Sequence, residues 1–220
     1  TVFSIINSPF RWIDSNISTL LQDDSDDLSL IDGIIMKQKN MIQVSFDVFK
    51  LITDDFLKNL HLNVIPDVID TIVAFVNQEK ILNVSFSSIS QFWLVGDYLR
   101  SNYSADIEKF RTECDDYFTH PSENNAEFIR AIKSPESTIS QKYYGIWLYL
   151  LKNLLFCSLD KRNEVSVGAI QTFFRIIDSH SSTFPSWQAI FNNVLYPFLN
   201  TERSDEQLQT NLDCLNVTLK

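Results

Sequence analysis

The sequence predicts an all-α protein, an α-solenoid of the HEAT or armadillo type. Three observations support this prediction: few turn-forming residues, repeated helical periodicity, and a local pattern that recurs at helix starts. Only 4 Gly and 6 Pro occur among the 220 residues. Sandwiches and barrels of β-strands need many turns rich in Gly and Pro, so their scarcity favours helices joined by short polar loops.

The first helix that the periodicity predicts lies between residues 42 and 60. Its apolar residues recur at i, i+4, i+7 and i+8, which is typical of a helix that buries one face. A polar run, QDDSDD at 22–27, precedes this helix and predicts a solvated loop. The face that we expect to be buried consists of Val44, Val48, Leu51 and Ile52.

Prolines and capping residues mark the starts of the next helices. Pro66 stands near the start of a helix over 64–76, where its missing N–H costs nothing. Asn83 is the predicted N-cap of a helix over 84–101. The most apolar run, 143–159, is too short for a membrane span of ~20 residues and predicts a buried helix. The remaining predicted helices are 165–180 after Asp160 and Asn163, 186–199 after Pro185, and a last helix after Ser204.

A short pattern recurs at three predicted helix starts: VSF at 44–46, VSF at 84–86 and VSV at 165–167. Forty residues separate the first two copies, and 81 separate the second from the third, which is close to twice that spacing. HEAT and armadillo units repeat at about 40–47 residues. The spacing therefore predicts helical repeats, one of which is degenerate between the second and third copies.

The predicted organisation is a single α-solenoid over 1–220, with repeat starts near residues 42, 82 and 163. The stretch 101–140 interrupts the periodicity, so we expect an irregular, partly helical insertion with a mobile tip. Its acidic cluster, Glu113, Asp115 and Asp116, is expected to be solvated. The sequence starts without Met and its helical patterns reach both ends, which indicates a segment of a longer protein.

The charge balance restricts the class of partner. The net charge is −10, from 28 acidic and 18 basic residues. Proteins that bind nucleic acids or anionic membrane surfaces carry basic patches, so neither is an expected direct ligand of this chain. Basic protein surfaces are its natural complement. The opening residues have no basic region and no small-residue cleavage site, which excludes a signal peptide.

Residues that support catalysis or bind metals are sparse. The sequence has no Gly-rich phosphate loop, no nucleophile elbow and no His pair at metal-ligand spacing. We therefore expect no catalytic site, no metal and no cofactor, and we interpret the histidines as surface or capping residues. An enzyme would need a cluster of polar groups in a pocket. The histidines and cysteines are His61, His120, His180, Cys114, Cys157 and Cys214.

Two groups of residues are candidates for contact with a protein partner. Trp93, Asp97 and Tyr98 share one face of a predicted helix, and Trp and Tyr are typical interface anchors. On a helix this apolar, a core position is the alternative for them. The second group lies in a predicted turn between helices, where solenoids display contact residues and where local capping is the alternative. It consists of Lys161, Arg162 and Glu164.

Two stretches carry a more specific pattern than a generic helical repeat. In Ile81 to Leu99, an apolar residue and Ser start a helix that continues to Phe-Trp and then Asp. In Gly145 to Leu199, a Trp-Leu helix leads to an Arg-x-Glu-Val turn and a Gly-Ala-x-x-Thr-Phe-Phe helix that ends at His. The residues of the two patterns are Phe92, Trp93, Asp97, Trp147, Leu148, Arg162, Glu164, Val165, Gly168, Ala169, Thr172, Phe173 and His180.

These patterns resemble the region downstream of the Sec-seven domain in large Arf guanine-nucleotide exchange factors, and most closely their non-catalytic relatives, the Mon-two (monensin-sensitivity) scaffolds. Ser166 departs from the resemblance, because that family often has Arg there. The resemblance implies a cytoplasmic, non-catalytic scaffold that attaches peripherally and indirectly to Golgi and endosome membranes. It also implies Arf-like small GTPases and dopey-family proteins as partners, and it leaves a homodimer open.

Two other functions stay open at the level of sequence. One is a regulatory segment, homologous to the region downstream of Sec-seven, in a catalytic Arf exchange factor. A Sec-seven domain in the parent protein would distinguish that function. The other is an unrelated HEAT-repeat adaptor, such as one in nuclear transport, which would bind a Ran-type rather than an Arf-type GTPase.

Overall fold

The computed structural model describes residues 6, 28–114, 118, 125–184 and 186–201. Regular secondary structure in these ranges is helical throughout, without any strand, which confirms the all-α prediction there. Short 3-10 turns join several of the helices, and a π-helical turn, Phe191–Leu195, links the last two. The helices are α1 Leu28–Phe56, α2 Ile65–Asn77, α3 Leu82–Tyr103, α4 Ile107–Cys114, α5 Asn125–Lys133, α6 Ile139–Cys157, α7 Asn163–His180, α8 Trp187–Ile190 and α9 Tyr196–Leu199.

The starts of α2 and α3 agree with the sequence in part. Pro66 lies in the first turn of α2, as predicted. The helix α3 begins before Asn83, so the prediction that Asn83 is its N-cap is wrong. Gln78, which follows the last residue of α2, instead organises the loop before α3, because its Oε1 accepts hydrogen bonds from the backbone N–H groups of Lys80 and Ile81, both at 2.9 Å. The chain therefore turns into α3 around the side chain of Gln78.

The starts of α7 and α8 also depend on side-chain hydrogen bonds. Asp160 Oδ1 accepts a hydrogen bond from the backbone N–H of Arg162 at 2.8 Å, in the turn just before α7. Ser186 caps α8, because its hydroxyl accepts a hydrogen bond at 3.2 Å from a backbone N–H in the first turn. Pro185 and the predicted helix after Ser204 lie outside the described residues.

The central helix of the fold is α6. Thr138 and Gln141 form a capping box, in which each side chain accepts a hydrogen bond from the other residue's backbone N–H, at 3.2 and 2.9 Å. Every residue from Lys142 to Leu155 is buried except Asn153, which confirms the predicted buried helix. Across the described ranges, no helix combines the length and the apolarity that crossing a bilayer requires.

Two helical hairpins stack side by side. The first consists of α2 and α3, and the second of α6 and α7. Because α2 packs against α6 while α3 packs against α7, equivalent helices of the two hairpins form two adjacent rows. The helix α1 packs on α3, whereas α4 and α5 pack on α6. Large buried side chains fill the space between the rows, among them Phe75, Phe92 and Trp147.

The second and third copies of the repeated pattern occupy equivalent positions. In both, the valine is the third residue of its helix and is buried. The serine that follows donates a hydrogen bond to the carbonyl of the residue directly after the preceding helix, from Ser85 to Gln78 at 2.9 Å and from Ser166 to Ser158 at 2.7 Å. Each serine thus ties the second helix of its hairpin to the first.

The first copy of the pattern lies in the middle of α1, so the prediction that it starts a helix is wrong. The predicted buried face is also wrong, because Val44, Val48 and Leu51 are 61%, 44% and 58% exposed and Ile52 is only partly buried. Two faces of α1 carry apolar residues, and periodicity alone does not say which one meets the core. The buried face consists of Ile42, Phe46, Phe49 and Thr53.

The predicted insertion over 101–140 is partly helical, as expected. The end of α3 extends into it, and α4 and α5 follow. Phe128 and Ile132 of α5 are fully buried, which anchors this part of the insertion in the core. The acidic cluster, the tip of the insertion and the loop over 22–27 lie outside the residues whose side chains are described.

Candidate partner-binding surfaces

The turn between α6 and α7 contains one of the two predicted contact groups, and Arg162 is its centre. The guanidinium of Arg162 binds both carboxylate oxygens of Asp160, with Nε–Oδ1 at 2.8 Å and Nη2–Oδ2 at 2.6 Å. This paired geometry is the strongest that an Arg and a carboxylate form. Both side chains are largely buried, with exposed fractions of 16% and 13%. Asp160 therefore fixes the direction in which the guanidinium points.

The same guanidinium reaches the first hairpin. Its Nη2 donates to the carbonyl of Val76 at 2.6 Å, and its Nη1 donates to the carbonyl of Gln78 at 2.7 Å and to Ser85 Oγ at 2.9 Å. The last carbonyls of a helix have no partner within it, so Arg162 satisfies groups at the end of α2. We call Arg162, Asp160, Gln78 and Ser85 the polar hub. It joins the two hairpins at the starts of α3 and α7.

The charges of the hub stabilise one another. Partial burial opposes ionisation of Asp160, but the hydrogen bonds and charge of Arg162 outweigh it and lower the pKa of that carboxyl. The hydrogen bond to Asp160 likewise raises the pKa of Arg162. Arg162 is thus committed to the hairpin interface, whereas Lys161 and Glu164 are exposed. Lys161 Nζ lies 2.7 Å from Glu79 Oε1 on the first hairpin, in a solvent-exposed ion pair.

The helices α3 and α7 lie side by side in register, along a line that we call the seam. The α3 residues that contact α7 along the seam are spaced seven residues apart, which is about two helical turns. In the first contact a Phe ring covers a Gly, in the second an Arg covers a Trp ring, and in the third an Arg donates to a carbonyl at 3.2 Å. The pairs are Phe86 with Gly168, Trp93 with Arg175, and Arg100 with Ser179.

Trp93, a candidate contact residue, is partly buried in this seam. Its ring centroid lies 4.8 Å from that of His180, and His180 lies 5.9 Å from Trp147. The guanidinium carbon of Arg175 lies 4.3 Å from the centroid of the Trp93 ring, in a cation–π contact. Trp93 therefore connects the buried aromatic side chains below it to an exposed Arg above it.

His180 is fully buried, so its interpretation as a surface or capping residue is wrong. It packs between two Trp rings, and neither of its ring nitrogens hydrogen-bonds to a group in the described part of the chain. Burial lowers the pKa of His180, and the positive charge of Arg100 adds to this effect, whereas Asp97 opposes it. His61, by contrast, is exposed and accepts a hydrogen bond from a backbone N–H, as a capping residue does.

The three residues predicted to share one face on α3 differ in their environments. Tyr98 is 5% exposed, and its hydroxyl donates to the carbonyl of Leu60 at 2.8 Å. Burial raises the pKa of Tyr98. Asp97 is exposed, and Trp93 is partly buried. The surface that α3 offers a partner at this point therefore consists of Asp97 and the outer part of the Trp93 contact with Arg175.

A larger apolar surface, which the sequence analysis missed, lies beside α7. It is a groove of about 320 Å³ between α6, α7 and the segment from α8 to α9, and the residues that line it are apolar. Trp187, Phe191 and Leu199 in its wall are 56%, 49% and 63% exposed. Apolar residues at steps of four within 186–199 were the signal that could have indicated it. Exposed apolar clusters of this kind mark interaction sites.

A second exposed apolar surface lies along one face of α1. Met41, Val44, Val48 and Leu51 are spaced by three, four and three residues, and each is at least 40% exposed. The opposite face of α1 is buried in the core, so these residues form a stripe that nothing in the described part of the chain covers. This spacing is typical of helices that pack against another helix.

Two further polar pairs link one helix to another. Tyr149 donates a short hydrogen bond to Asp70, which links α6 to α2. Burial raises the pKa of Asp70, although this hydrogen bond works in the opposite direction. Lys133 Nζ lies 2.7 Å from Asp67 Oδ1 and links α5 to α2. Within the described ranges, no three His, Cys, Asp or Glu side chains come close enough to hold a metal ion.

Comparison with known proteins identifies a family over most of the chain. The family described as the C-terminal region of Mon2 protein matches residues 54–213. This range contains α2 to α9, and with them the polar hub, the seam and the groove. No solved structure matches the chain significantly.

The similar full-length proteins are much longer than this chain. It is 52% identical over 219 residues to Protein MON2 of Saccharomyces cerevisiae, a match that covers 100% of the chain and 13% of that protein. It is 28% identical over 166 residues to a Protein MON2 homolog of Drosophila melanogaster, covering 74% of the chain and 9% of that protein. An Arabidopsis thaliana protein named Brefeldin A-inhibited guanine nucleotide-exchange protein 2 is 23% identical over 176 residues, covering 75% of the chain and 9% of that protein.

Proposed function

The chain belongs to the family of Mon2 C-terminal regions, and from this membership we propose that it is a non-catalytic scaffold segment in Golgi and endosome membrane trafficking. Its proposed partners are Arf-like small GTPases or dopey-family proteins. The family match over 54–213 is the observation that carries the proposal. The chain spans 13% or less of the relatives described above, so its function is that of one segment of a scaffold.

A small GTPase is the partner class that the relatives favour. The name of the Arabidopsis relative describes guanine-nucleotide exchange, and exchange proteins act on GTPases. This chain is similar to a segment of that protein, so we propose that the segment contacts a GTPase. The net charge of −10 favours a basic partner surface. Family membership supports the proposed cytoplasmic location, with peripheral, partner-mediated attachment to Golgi and endosome membranes.

An α-solenoid over 1–220 is the architecture that we propose for this scaffold. Two observations support this proposal. The first helices of the two hairpins pack against each other, and so do the second helices. Near the start of both second helices, a serine donates the same hydrogen bond to a backbone carbonyl. Units of this kind leave an apolar face that the next unit covers. A solenoid surface also suits binding to extended protein partners, since it exposes one helix of each unit along a continuous row.

We place the GTPase contact at the middle of the seam, on Asp97, Trp93 and Arg175. Asp97 and Arg175 are exposed, and Trp93 adds aromatic surface between the two hairpins. Hot spots of protein interfaces are enriched in Trp and Arg. Lys161 and Glu164, at the start of α7, form a second, smaller polar contact in this proposal.

The test is direct binding of purified Arf-like GTPases, loaded with GDP or a GTP analogue, to the immobilised chain by biolayer interferometry. We expect tighter binding of the GTP form, and about tenfold weaker binding by Asp97→Lys. Asp54→Lys, at an exposed position on α1, makes the same charge change away from the seam and leaves affinity unchanged. A folded chain that binds neither GTPases nor a dopey-family protein would contradict the proposal.

The second candidate is regulation of a catalytic exchange factor, and the Arabidopsis relative is the observation that favours it. Nucleotide-exchange rates of a Sec-seven domain, measured with and without this chain, distinguish the two. A scaffold segment leaves the exchange rate unchanged while it binds the GTPase. A regulatory segment changes the rate at concentrations at which it binds the exchange domain.

A further inference from the structure

One face of α1 carries exposed residues in the pattern of a coiled coil. Its four apolar residues follow one another at steps of three, four and three, as the a and d positions of heptads do. The next positions of the same pattern are charged and exposed, with Lys37 four residues before the apolar part and Asp55 four residues after it. The face is about 27 Å long, from a rise of 1.5 Å per residue. We call it the α1 stripe, and it consists of Lys37, Met41, Val44, Val48, Leu51 and Asp55.

The α1 stripe is complementary to a second copy of itself that runs in the opposite direction. Its residues are symmetric about the level of residue 46, so an antiparallel copy sets each apolar residue against another apolar residue. Lys37 of each copy then faces Asp55 of the other copy, at both ends of the contact. A twofold axis relates such contacts, since each residue meets the same partner in both copies. The apolar layers pair Met41 with Leu51 and Val44 with Val48.

The charges of the α1 stripe favour this antiparallel direction over the parallel one. A parallel copy would place Lys37 against Lys37 and Asp55 against Asp55, and like charges that face each other across an interface oppose binding. Asp55 also lies in the last turn of α1, where the helix dipole disfavours negative charge. Its position therefore does not stabilise α1 itself, whereas a lysine on an antiparallel neighbour compensates it.

We propose that the α1 stripe is the interface of a homodimer in which two copies of the chain pair their α1 helices antiparallel. The opposite side of α1 is buried and packs on α3 within each copy, so the stripe is the side that a second copy can reach. A contact about 27 Å long and about 10 Å wide buries on the order of 600 Å² in total, which is typical of weak complexes. We therefore expect a Kd of about 10–100 μM. The proposal does not depend on a GTPase contact at the seam.

Asp47 lies beside the α1 stripe and limits the affinity of this dimer. It is exposed and one residue from the level of symmetry, so the two copies of Asp47 lie near the twofold axis, where their charges repel. We expect Asp47→Asn to lower the Kd several-fold. Asp106→Asn removes the same charge at an exposed position before α4 and should leave the Kd unchanged. Equal effects of the two variants would contradict the antiparallel geometry.

The leading test is sedimentation equilibrium of the full chain from about 5 to about 500 μM, a range that includes the expected Kd. We expect a monomer–dimer equilibrium that Val48→Asp weakens at least tenfold, because it places a carboxylate in both copies of an apolar layer. Phe191→Asp, in the groove beside α7, is the matched control and should leave the Kd unchanged. Val48 and Phe191 are 44% and 49% exposed, so neither change disturbs the core, and circular dichroism checks the helix content.

Two results of this experiment would overturn the proposal. The first is a chain that stays monomeric over the whole range, which would leave the α1 stripe to a different protein segment. The second is a dimer that Phe191→Asp dissociates and Val48→Asp does not, because the groove would then be the interface.

The charged ends of the α1 stripe test the direction of pairing at low ionic strength, where exposed charges are least screened. Lys37→Asp and Asp55→Lys each convert two attractive contacts of the dimer into repulsive ones, so each should raise the Kd several-fold. The double variant restores an attractive pair at both ends and should regain the affinity of the unmodified chain. A parallel dimer would show neither the loss nor the recovery, and that result would also overturn the proposal.

Cross-linking tests the same pairing through covalent bonds. Met41→Cys and Leu51→Cys, each in a Cys114→Ser and Cys214→Ser background, bring their thiols together when the two variants are mixed. Within either variant alone, equivalent thiols of an antiparallel dimer are about 15 Å apart along the helix. We expect disulfide-linked dimers in the mixture and in neither variant alone. Cross-links that form as readily in one variant alone, or none in a mixture that sedimentation shows to be dimeric, would contradict the pairing.

Discussion

The two ends of the seam between α3 and α7 are held by different physical means. At the start of the two helices, Arg162 and Asp160 connect the hairpins through a set of charge-assisted hydrogen bonds. At the other end, His180 packs between Trp93 and Trp147 without a hydrogen bond from its ring nitrogens to any described group. The first end depends on direction and charge, and the second depends on shape and on a neutral imidazole.

This difference indicates how the register of the hairpins is fixed. Hydrogen bonds from one guanidinium to the carbonyls of Val76 and Gln78 are made in only one register of the two hairpins. Aromatic packing tolerates small shifts and contributes mainly through the apolar area that it buries. The polar hub therefore specifies the alignment, and the aromatic end contributes buried apolar area.

The strongest way to break this arrangement is Arg162→Met. The variant keeps an apolar stem but leaves Asp160 without its cationic partner and removes the guanidinium hydrogen bonds to the carbonyls of Val76 and Gln78. Removing one partner of a buried charged network typically costs about 3–5 kcal/mol, and we expect about 3 kcal/mol here because the pair is not completely buried. Urea denaturation measures the change in the free energy of unfolding.

Lys161→Met is the matched control for this prediction. Its ammonium group is exposed and pairs with an exposed glutamate, so we expect its loss to have no measurable effect on stability. Equal destabilisation by both variants would show that the hub has no special role in joining the hairpins. If only Arg162→Met lowers the free energy of unfolding, the distinction between the two ends of the seam is supported.

The first contact of the seam, between Gly168 and Phe86, is tested by Gly168→Leu. A Cβ at Gly168 would lie 3.0 Å from the ring of Phe86 and 3.3 Å from the side chain of Ile89, so a larger side chain forces α3 and α7 apart. Overpacking of this kind costs about 1–3 kcal/mol, and we expect about 2 kcal/mol in thermal or urea unfolding.

Gly33→Leu provides the comparison, because nothing lies within 4 Å of a Cβ at Gly33. This replacement in α1 is expected to stabilise the chain by about 0.5–1 kcal/mol through helix propensity alone. If Gly168→Leu stabilised the chain to the same extent, close approach of the helices at this point would not matter for the seam.

The sequence predicted the helices better than it predicted their environments. Pro66 and the apolar run of α6 marked elements correctly, because both signals are local. The stripe of Val44 on α1 was misassigned, since the helix has two apolar faces and only the packed structure distinguishes them. The sequence also did not reveal that Arg162 joins the hairpins, because its acceptors on the first hairpin lie 77 to 86 residues away along the chain.

The candidate contact residues show the same limit. Tyr98 and Asp97 are neighbours in sequence, yet one is buried with its hydroxyl bonded to Leu60 and the other is exposed. A side chain's position on a helix gives its direction, but the neighbouring helices decide what it meets. The groove was missed for a related reason: the apolar residues of its walls looked like core until their exposure was known.

The aromatic end is expected to lose stability in mildly acidic solution, whereas the polar hub loses the stability of its ion pair only below the ordinary pKa of an Asp carboxyl, 3.8. The pKa of His180 in the folded chain lies below its ordinary value of 6.5, so below that pH the unfolded chain binds more protons than the folded chain. The stability contributed by neutral His180 is therefore complete above about pH 6.5 and is lost as pH falls towards the lowered pKa. At neutral pH this effect on stability is absent, so we expect it to be smaller than the effects of Arg162→Met and Gly168→Leu.

His180→Phe tests this directly, because a phenyl ring fits between two Trp rings and does not titrate. Urea unfolding between neutral pH and about pH 5.5 should show a flatter loss of stability in this variant than in the unmodified chain. Identical slopes in the variant and in the unmodified chain would assign the acid sensitivity to groups outside the seam.

The smallest effect is expected from Arg175→Ala, which removes the cation above Trp93 and leaves the aromatic packing below it intact. Exposed cation–π contacts contribute about 0.5–1 kcal/mol, so unfolding in urea should report a loss of that size. Arg175→Lys should retain part of the contact, whereas Arg130→Ala, at an exposed position on α5, should change nothing. A double-mutant cycle with Trp93→Leu isolates the pairwise energy. A coupling near zero would mean that Arg175 only lies over the ring, and that its exposed guanidinium is free to serve a partner.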